Sequence, residues 1–180
     1  MLSDIDNILF PDSCEVIQIA SQQFVYPIMK NGSSSFYWQI QNGSRPEWKI
    51  IFKDDIRSIT QPLIVFLRDP KQRFISGVNT YLQHVKRDHP ELDTNTILWF
   101  ANNYLFLNRH YCPQFFWLLN LAKYLNDNAK LNLLSMSDID DIAKVDLKPE
   151  GVTEAPLILA EQLTQLTNNE MYQRIDTVIF

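Results

Sequence analysis

Short apolar blocks separated by polar, turn-forming residues mark out the first third of this chain. EVIQIA at 15–20 predicts a strand, and FVYPI at 24–28 predicts a second one with Pro27 near its end. From Ser33 the pattern changes: Phe36, Tyr37 and Ile40 recur at helical spacing, and a serine suits the N-cap. Asn42-Gly43-Ser44-Arg45-Pro46 is a turn cluster, followed by a strand pattern in EWKIIF at 47–52. PLIVFL at 62–67 is an unbroken apolar run with β-branched residues, the signature of a buried parallel strand. After Asp69-Pro70, Phe74, Gly77, Val78 and Tyr81 fall on one helical face, with Pro70 suited to a first turn. HVKRDHPELDTNT (84–96) reads as a surface loop. Helices are expected over 95–106 and 115–125, a strand over 130–136, a short helix capped near Ser137 and Asp138, and a helix over 156–174. Strands alternating with helices predict an α/β fold on a mostly parallel sheet flanked by helices.

A length of 180 residues fits one domain over 1–180. The 46% hydrophobic and 21% charged content describes a globular chain. The net charge of −5 opposes a nucleic-acid-coating role, which needs a basic face. No apolar run approaches the roughly 20 residues of a membrane span, and the acidic N-terminus lacks the basic region of a signal peptide, so a cytoplasmic location is expected. Cys14 and Cys112 read as two buried thiols. His84, His89 and His110 are scattered and no CxxC or HExxH spacing occurs, so no metal site is expected.

Two strand-to-helix junctions carry candidate chemistry. In the first, Lys30-Asn31-Gly32-Ser33-Ser34-Ser35 joins a strand to a helix. A tight turn at Gly32 aims backbone N–H groups at one point, where the helix dipole favours an anion. The serines add hydroxyls and Lys30 a charge. An exposed serine-rich turn accounts for the same residues equally well. The lysine precedes the glycine and the first Walker glycine is missing, which disfavours a P-loop ATPase or kinase. In the second junction, Arg68 ends a strand, and Arg73 and Ser76 lie three apart on the following helix. Arginine forks suit phosphate oxygens; a surface salt-bridge cluster with Asp69 is the other reading. Taken together, the two junctions suggest a ligand bearing two separate phosphates.

At this level the sequence resembles the sulfotransferases that use 3′-phosphoadenosine 5′-phosphosulfate (PAPS). Lys30-Asn31-Gly32-Ser33-Ser34 is similar to their first motif, which holds the 5′-phosphosulfate, although Met29 stands where many members have proline. Arg68-Asp69-Pro70 with Ser76 eight positions on is similar to the second, which binds the 3′-phosphate. NRHYCPQFFWL (108–118) resembles the H-x-x-P-Q segment of carbohydrate sulfotransferases of the chondroitin and HNK type. Tyr172, Asp176 and Phe180 resemble their closing pattern.

The resemblance implies a P-loop-like three-layer fold, PAPS as co-substrate without a metal, and a small-molecule or carbohydrate hydroxyl as acceptor. Donor-binding residues would be Lys30, Asn31, Gly32, Ser33, Ser34, Ser35, Arg68, Arg73 and Ser76, with Lys30 also stabilising the leaving oxygen. A general base is required; Glu47 and His110 are the candidates. A nucleotide kinase or other P-loop NTPase, and a PAP- or PAPS-binding protein without transferase activity, are the rival readings (PAP is the desulfated product).

Overall fold

A computed structural model describes residues 13–104 and 108–143. By internal packing the chain divides into two compact units, one containing residues 13–68 with 117–143 and the other 69–116. Each is described by itself.

The first unit carries a five-stranded sheet: β1 (Glu15–Ala20), β2 (Gln23–Val25), β3 (Lys49–Phe52), β4 (Leu63–Leu67) and β5 (Leu131–Ser135), in the order β3-β1-β2-β4-β5. The protein is therefore mixed α/β. The sheet is parallel through β2-β4-β5 and antiparallel at β1-β2 and β1-β3. The antiparallel half follows from chain length: only Ser21 and Gln22 separate β1 from β2, a connection that can make a hairpin but not a parallel crossover.

All five residues of β4 are buried, as its unbroken apolar run requires. Ile64 and Phe66 share one core with Ile17, Ile19, Val25, Phe36 and Trp48; Phe36 comes from α1 (Ser33–Gln41). Alternation sends Leu63, Val65 and Leu67 to the other face. Tyr26, two positions after Phe24, donates its hydroxyl to the carbonyl of Trp117 at 3.0 Å. A short helix, α2 (Lys53–Ile56), follows β3.

In the second unit α3 (Pro70–Asp88) starts with Asp69 accepting from the Gln72 amide at 2.8 Å and Pro70 in the first turn, as the sequence predicts. It runs further than expected. His84 to Asp88 are helical rather than loop, with Lys86 and Arg87 placed favourably at the negative end of the dipole. The connection shrinks to 89–93, and Asp93 caps α4 (Thr94–Asn103) by accepting from Thr96. Phe74, Val78, Leu82, Ile97, Leu98, Ala101 and Tyr111 form this unit's core. Helix α5 (Gln114–Ala122) carries the chain from this unit back into the first, where after β5 a short 3₁₀ turn leads to α6 (Ile139–Ala143). There the cap is Ser135, in a reciprocal capping box with Asp138, two residues ahead of the predicted Ser137. The predicted 156–174 helix and the Tyr172, Asp176 and Phe180 pattern lie outside the described residues. No helix among the described residues is long and apolar enough to cross a membrane.

Both cysteines are free and buried. Burial pushes the Cys14 thiol up to about 12, opposed by a hydrogen bond with Tyr26, and burial also holds the Tyr26 phenol well above its ordinary range. Both groups keep their protons in the fold, whereas the unfolded chain releases them from about pH 9 (thiol) and pH 10 (phenol) upward. Their contribution to stability is complete below about pH 9 and declines as pH rises toward 12. Denaturation midpoints at pH 8, 9.5 and 10.5 should therefore fall in that order, and Cys14→Val should flatten the decline between the first two. A midpoint that rises with pH would contradict the assignment.

Candidate functional site

The loop between β2 and α1 is shaped by what its residues cannot do. Pro27 has no N–H to offer, and regular pairing with β4 ends after the Tyr26 amide reaches Ile64 at 2.9 Å. The next carbonyl needing a donor, on Phe66 of β4, is satisfied by the Asn31 side-chain amide at 2.8 Å. Asn31 is buried, and it ties the loop to the carboxyl end of β4.

The backbone then turns twice through the left-handed region, at Lys30 with φ 67° and Gly32 with φ 79°. Glycine adopts that conformation at little cost; lysine does not. On its side-chain face Gly32 packs against the Met136 and Ile139 side chains, so a Cβ there would sit 3.0 Å from the Met136 methyl and 2.8 Å from Ile139 Cδ1. Gly32 is also the N-cap of α1 and supplies no side-chain cap. Ser35 donates its amide to the Gly32 carbonyl at 2.9 Å, while among the described residues no acceptor pairs with the amides of Gly32, Ser33 and Ser34. The arrangement is an uncapped, nine-residue helix preceded by a left-handed turn, which concentrates free N–H donors at the positive end of the dipole. Ser33 and Ser35 are buried; Ser34 is exposed.

Arg68 follows β4 directly. Its Nη1 donates to the Lys30 carbonyl at 3.2 Å. The two basic positions predicted to act together, Lys30 and Arg68, thus meet at the carboxyl ends of two adjacent parallel strands. That is where ligands bind in open α/β sheets. Arg68 is half-buried.

The other predicted residues are placed differently. Arg73, expected to face a phosphate, is fully buried. It donates through Nη1 to the Cys112 carbonyl and through Nη2 to that of Arg109 at 3.4 Å. The surface salt bridge with Asp69 that its sequence context offered does not fit a buried guanidinium, whose fork meets main-chain carbonyls instead. Ser76 is half-buried on α3, where its carbonyl accepts from the Thr80 hydroxyl at 3.2 Å.

His110 is half-buried in a tight turn: its amide donates to Asn108 Oδ1 at 2.9 Å, and its ring meets His84 edge-on at 5.3 Å. Glu47 is exposed and reaches Arg45 only at 4.0 Å. Arg45 in turn lies over the buried Trp48 ring, 5.6 Å from its centroid. Sequence reasoning missed Met136 and Ile139 behind the loop and the left-handed Lys30. The apolar run of β5 pointed toward the first; nothing in a lysine's side chain signals the second.

Comparison with models of protein families, with curated proteins and with solved structures yields no match.

Proposed function

We propose that this protein is a PAPS-dependent sulfotransferase with a P-loop-like donor site, transferring a sulfuryl group to an acceptor hydroxyl, of a carbohydrate or other small metabolite, and releasing PAP. The observation that carries this reading is the junction of the Lys30 loop and Arg68 beside the Gly32, Ser33 and Ser34 amides, which pair with no acceptor among the described residues. Donors converging on a helix start favour a phosphate or sulfate oxygen. Lysine at the mouth of the loop, ahead of the glycine, suits a group that meets charge on a leaving oxygen.

In the proposed reaction the acceptor oxygen attacks sulfur. The bond from sulfur to the bridging oxygen breaks, and that oxygen leaves with the electron pair as part of PAP. Positioning and charge stabilisation do most of this work, as in phosphoryl transfer. Lys30 donates to the departing oxygen, and the loop amides hold the 5′-phosphate. Arg68 takes the 3′-phosphate. The proton of the acceptor hydroxyl passes to a general base. Two residues stand as candidates for that base: Glu47, which is solvated and loosely paired, and His110, which is half-buried with its amide donating to Asn108.

Thermal shift with PAP, PAPS, ATP and ADP tests the donor assignment. PAP and PAPS should stabilise the protein selectively, and Arg68→Ala should weaken PAP binding by about tenfold or more, as expected for loss of a charge-assisted hydrogen bond. A flat response to PAP near 1 mM, a concentration matching only about 4 kcal/mol of affinity, would sink the reading. A response to ATP with Mg²⁺ and none to PAP would favour a nucleotide kinase.

A further inference from the structure

We propose that Arg73 is a positioning residue, a buried clasp that holds the 108–112 segment on α3 and so sets where His110 sits, and that it makes no contact with the donor. Four observations within one unit converge on this. The guanidinium is fully buried, and its fork reaches the carbonyls of Arg109 and Cys112, which bracket His110 and Tyr111. The segment is itself a closed turn, with the Tyr111 and Cys112 amides both donating to the Asn108 carbonyl at 3.3 and 3.0 Å. One helical turn beyond Arg73, the His110 carbonyl lies where a Cβ of Gly77 would be, 2.1 Å from that point. The Tyr111 ring packs edge-on against Phe74 and Tyr81, with centroids at 6.2 and 5.3 Å.

Residues 73 to 81 of α3 therefore grip the segment through a charged fork, a missing side chain and an aromatic wedge. A lysine could supply the charge but not the planar fork that serves two carbonyls at once. A fully buried guanidinium spent on main-chain oxygens is also poorly placed to gain by meeting a solvated phosphate.

The clasp is a property of this unit; its bearing on catalysis rests on the proposed function and on His110, of the two candidates, being the base. Full-length protein labelled with ¹³C-histidine and ¹⁵N-arginine separates the two. On titration with PAP, the Arg68 Nε resonance should move and the Arg73 Nε resonance should stay. In Arg73→Lys, the His110 ring resonances should move and amide exchange at Tyr111 and Cys112 should rise about tenfold or more, while PAP affinity stays within about threefold of wild type, less than one lost hydrogen bond would cost. Arg68→Lys should show the reverse. An Arg73 resonance that follows PAP, or Arg73→Lys losing PAP affinity with His110 unmoved, overturns the clasp. Wild-type protein that ignores PAP overturns the donor reading, while the His110 and amide-exchange readouts still decide the clasp. Should Arg73→Lys fail to fold, Tyr111→Phe, which removes only the hydroxyl donated to the Tyr104 carbonyl at 3.3 Å, is expected to move the same His110 resonances; unmoved resonances there would count against it.

Discussion

Gly77→Ala is expected to destabilise the protein, although helix propensity alone predicts the opposite. Replacing glycine by alanine inside a helix gains about 1 kcal/mol. At this position the new methyl would meet the His110 carbonyl oxygen at 2.1 Å, the His110 carbonyl carbon at 2.6 Å and Tyr111 Cα at 2.7 Å. All three are backbone atoms, so no side-chain rotation relieves the overlap. The segment must lift off α3, and lifting it strains the Arg73 hydrogen bonds and the Tyr111 packing together. Overpacking of this kind costs about 1–3 kcal/mol and sometimes more, and a contact made to doubly anchored backbone belongs at the upper end. The net loss should be about 2 kcal/mol, a fall of roughly 4–8 °C in Tm for a chain of this size. Denaturant titration of wild type, Gly77→Ala and Gly77→Ser checks it. An unchanged or raised midpoint in Gly77→Ala would mean that the segment does not cross the helix at this residue. The loss should not add to that of Arg73→Lys, because both act on one contact; the double variant should be less destabilised than the sum of the two.

This glycine shows where sequence reading stops. Its place on the apolar face of α3 is legible from helical spacing, and its burial follows. That it makes room for the backbone of residues 110 and 111 depends on a contact more than thirty positions away, which local spacing does not encode. The same division runs through the fold. β1 and β4 follow directly from apolar runs, and α1 begins at Ser33 where helical spacing places it, although its N-cap is Gly32 and not a serine. The antiparallel half of the sheet does not, because apolar content reports burial and not strand direction; the two-residue link between β1 and β2 was the available clue. His84 to Asp88 look like loop because they are charged, yet charge on the outer face of a helix end is what the dipole and solvent favour. At the candidate site the sequence marks Lys30 and Arg68 as two separate junctions; the 3.2 Å hydrogen bond from Arg68 to the Lys30 carbonyl is a main-chain contact that side-chain identity does not signal. For Arg73 the sequence leaves a phosphate contact and a surface salt bridge with Asp69 side by side; a fork buried on the carbonyls of residues 109 and 112 depends on a distant segment that local spacing does not encode.

Lys30 should reveal a conflict between stability and catalysis. It is the non-glycine residue with positive φ among the described residues, at 67°, and it sits in the candidate donor loop. The left-handed conformation costs a residue with a Cβ roughly 1–2 kcal/mol. Glycine avoids that cost but gives back part of the gain, about 0.5–1 kcal/mol, through its larger unfolded-state entropy. Lys30→Gly should therefore be more stable than Lys30→Ala by about 0.5–1 kcal/mol, since alanine keeps the strained Cβ and differs from glycine in little else. Both variants lack the ammonium group. If Lys30 meets the charge that grows on the leaving oxygen, both should lose transfer by about 10²–10³-fold, the range for removing one preorganised donor to a developing oxyanion. PAP binding should fall much less, because the charge on that oxygen is greatest in the transition state and the loop amides and Arg68 remain. Denaturation midpoints, PAP affinities and single-turnover release of PAP from PAPS with an active acceptor measure the three quantities separately. If Lys30→Ala matches wild type in turnover, Lys30 has no part in the chemical step. If Lys30→Gly is less stable than Lys30→Ala, residue 30 is not held in the left-handed turn. A residue kept at a conformational cost, whose relief leaves the fold sound and removes only the reaction, is one whose strain serves the placement of its charge.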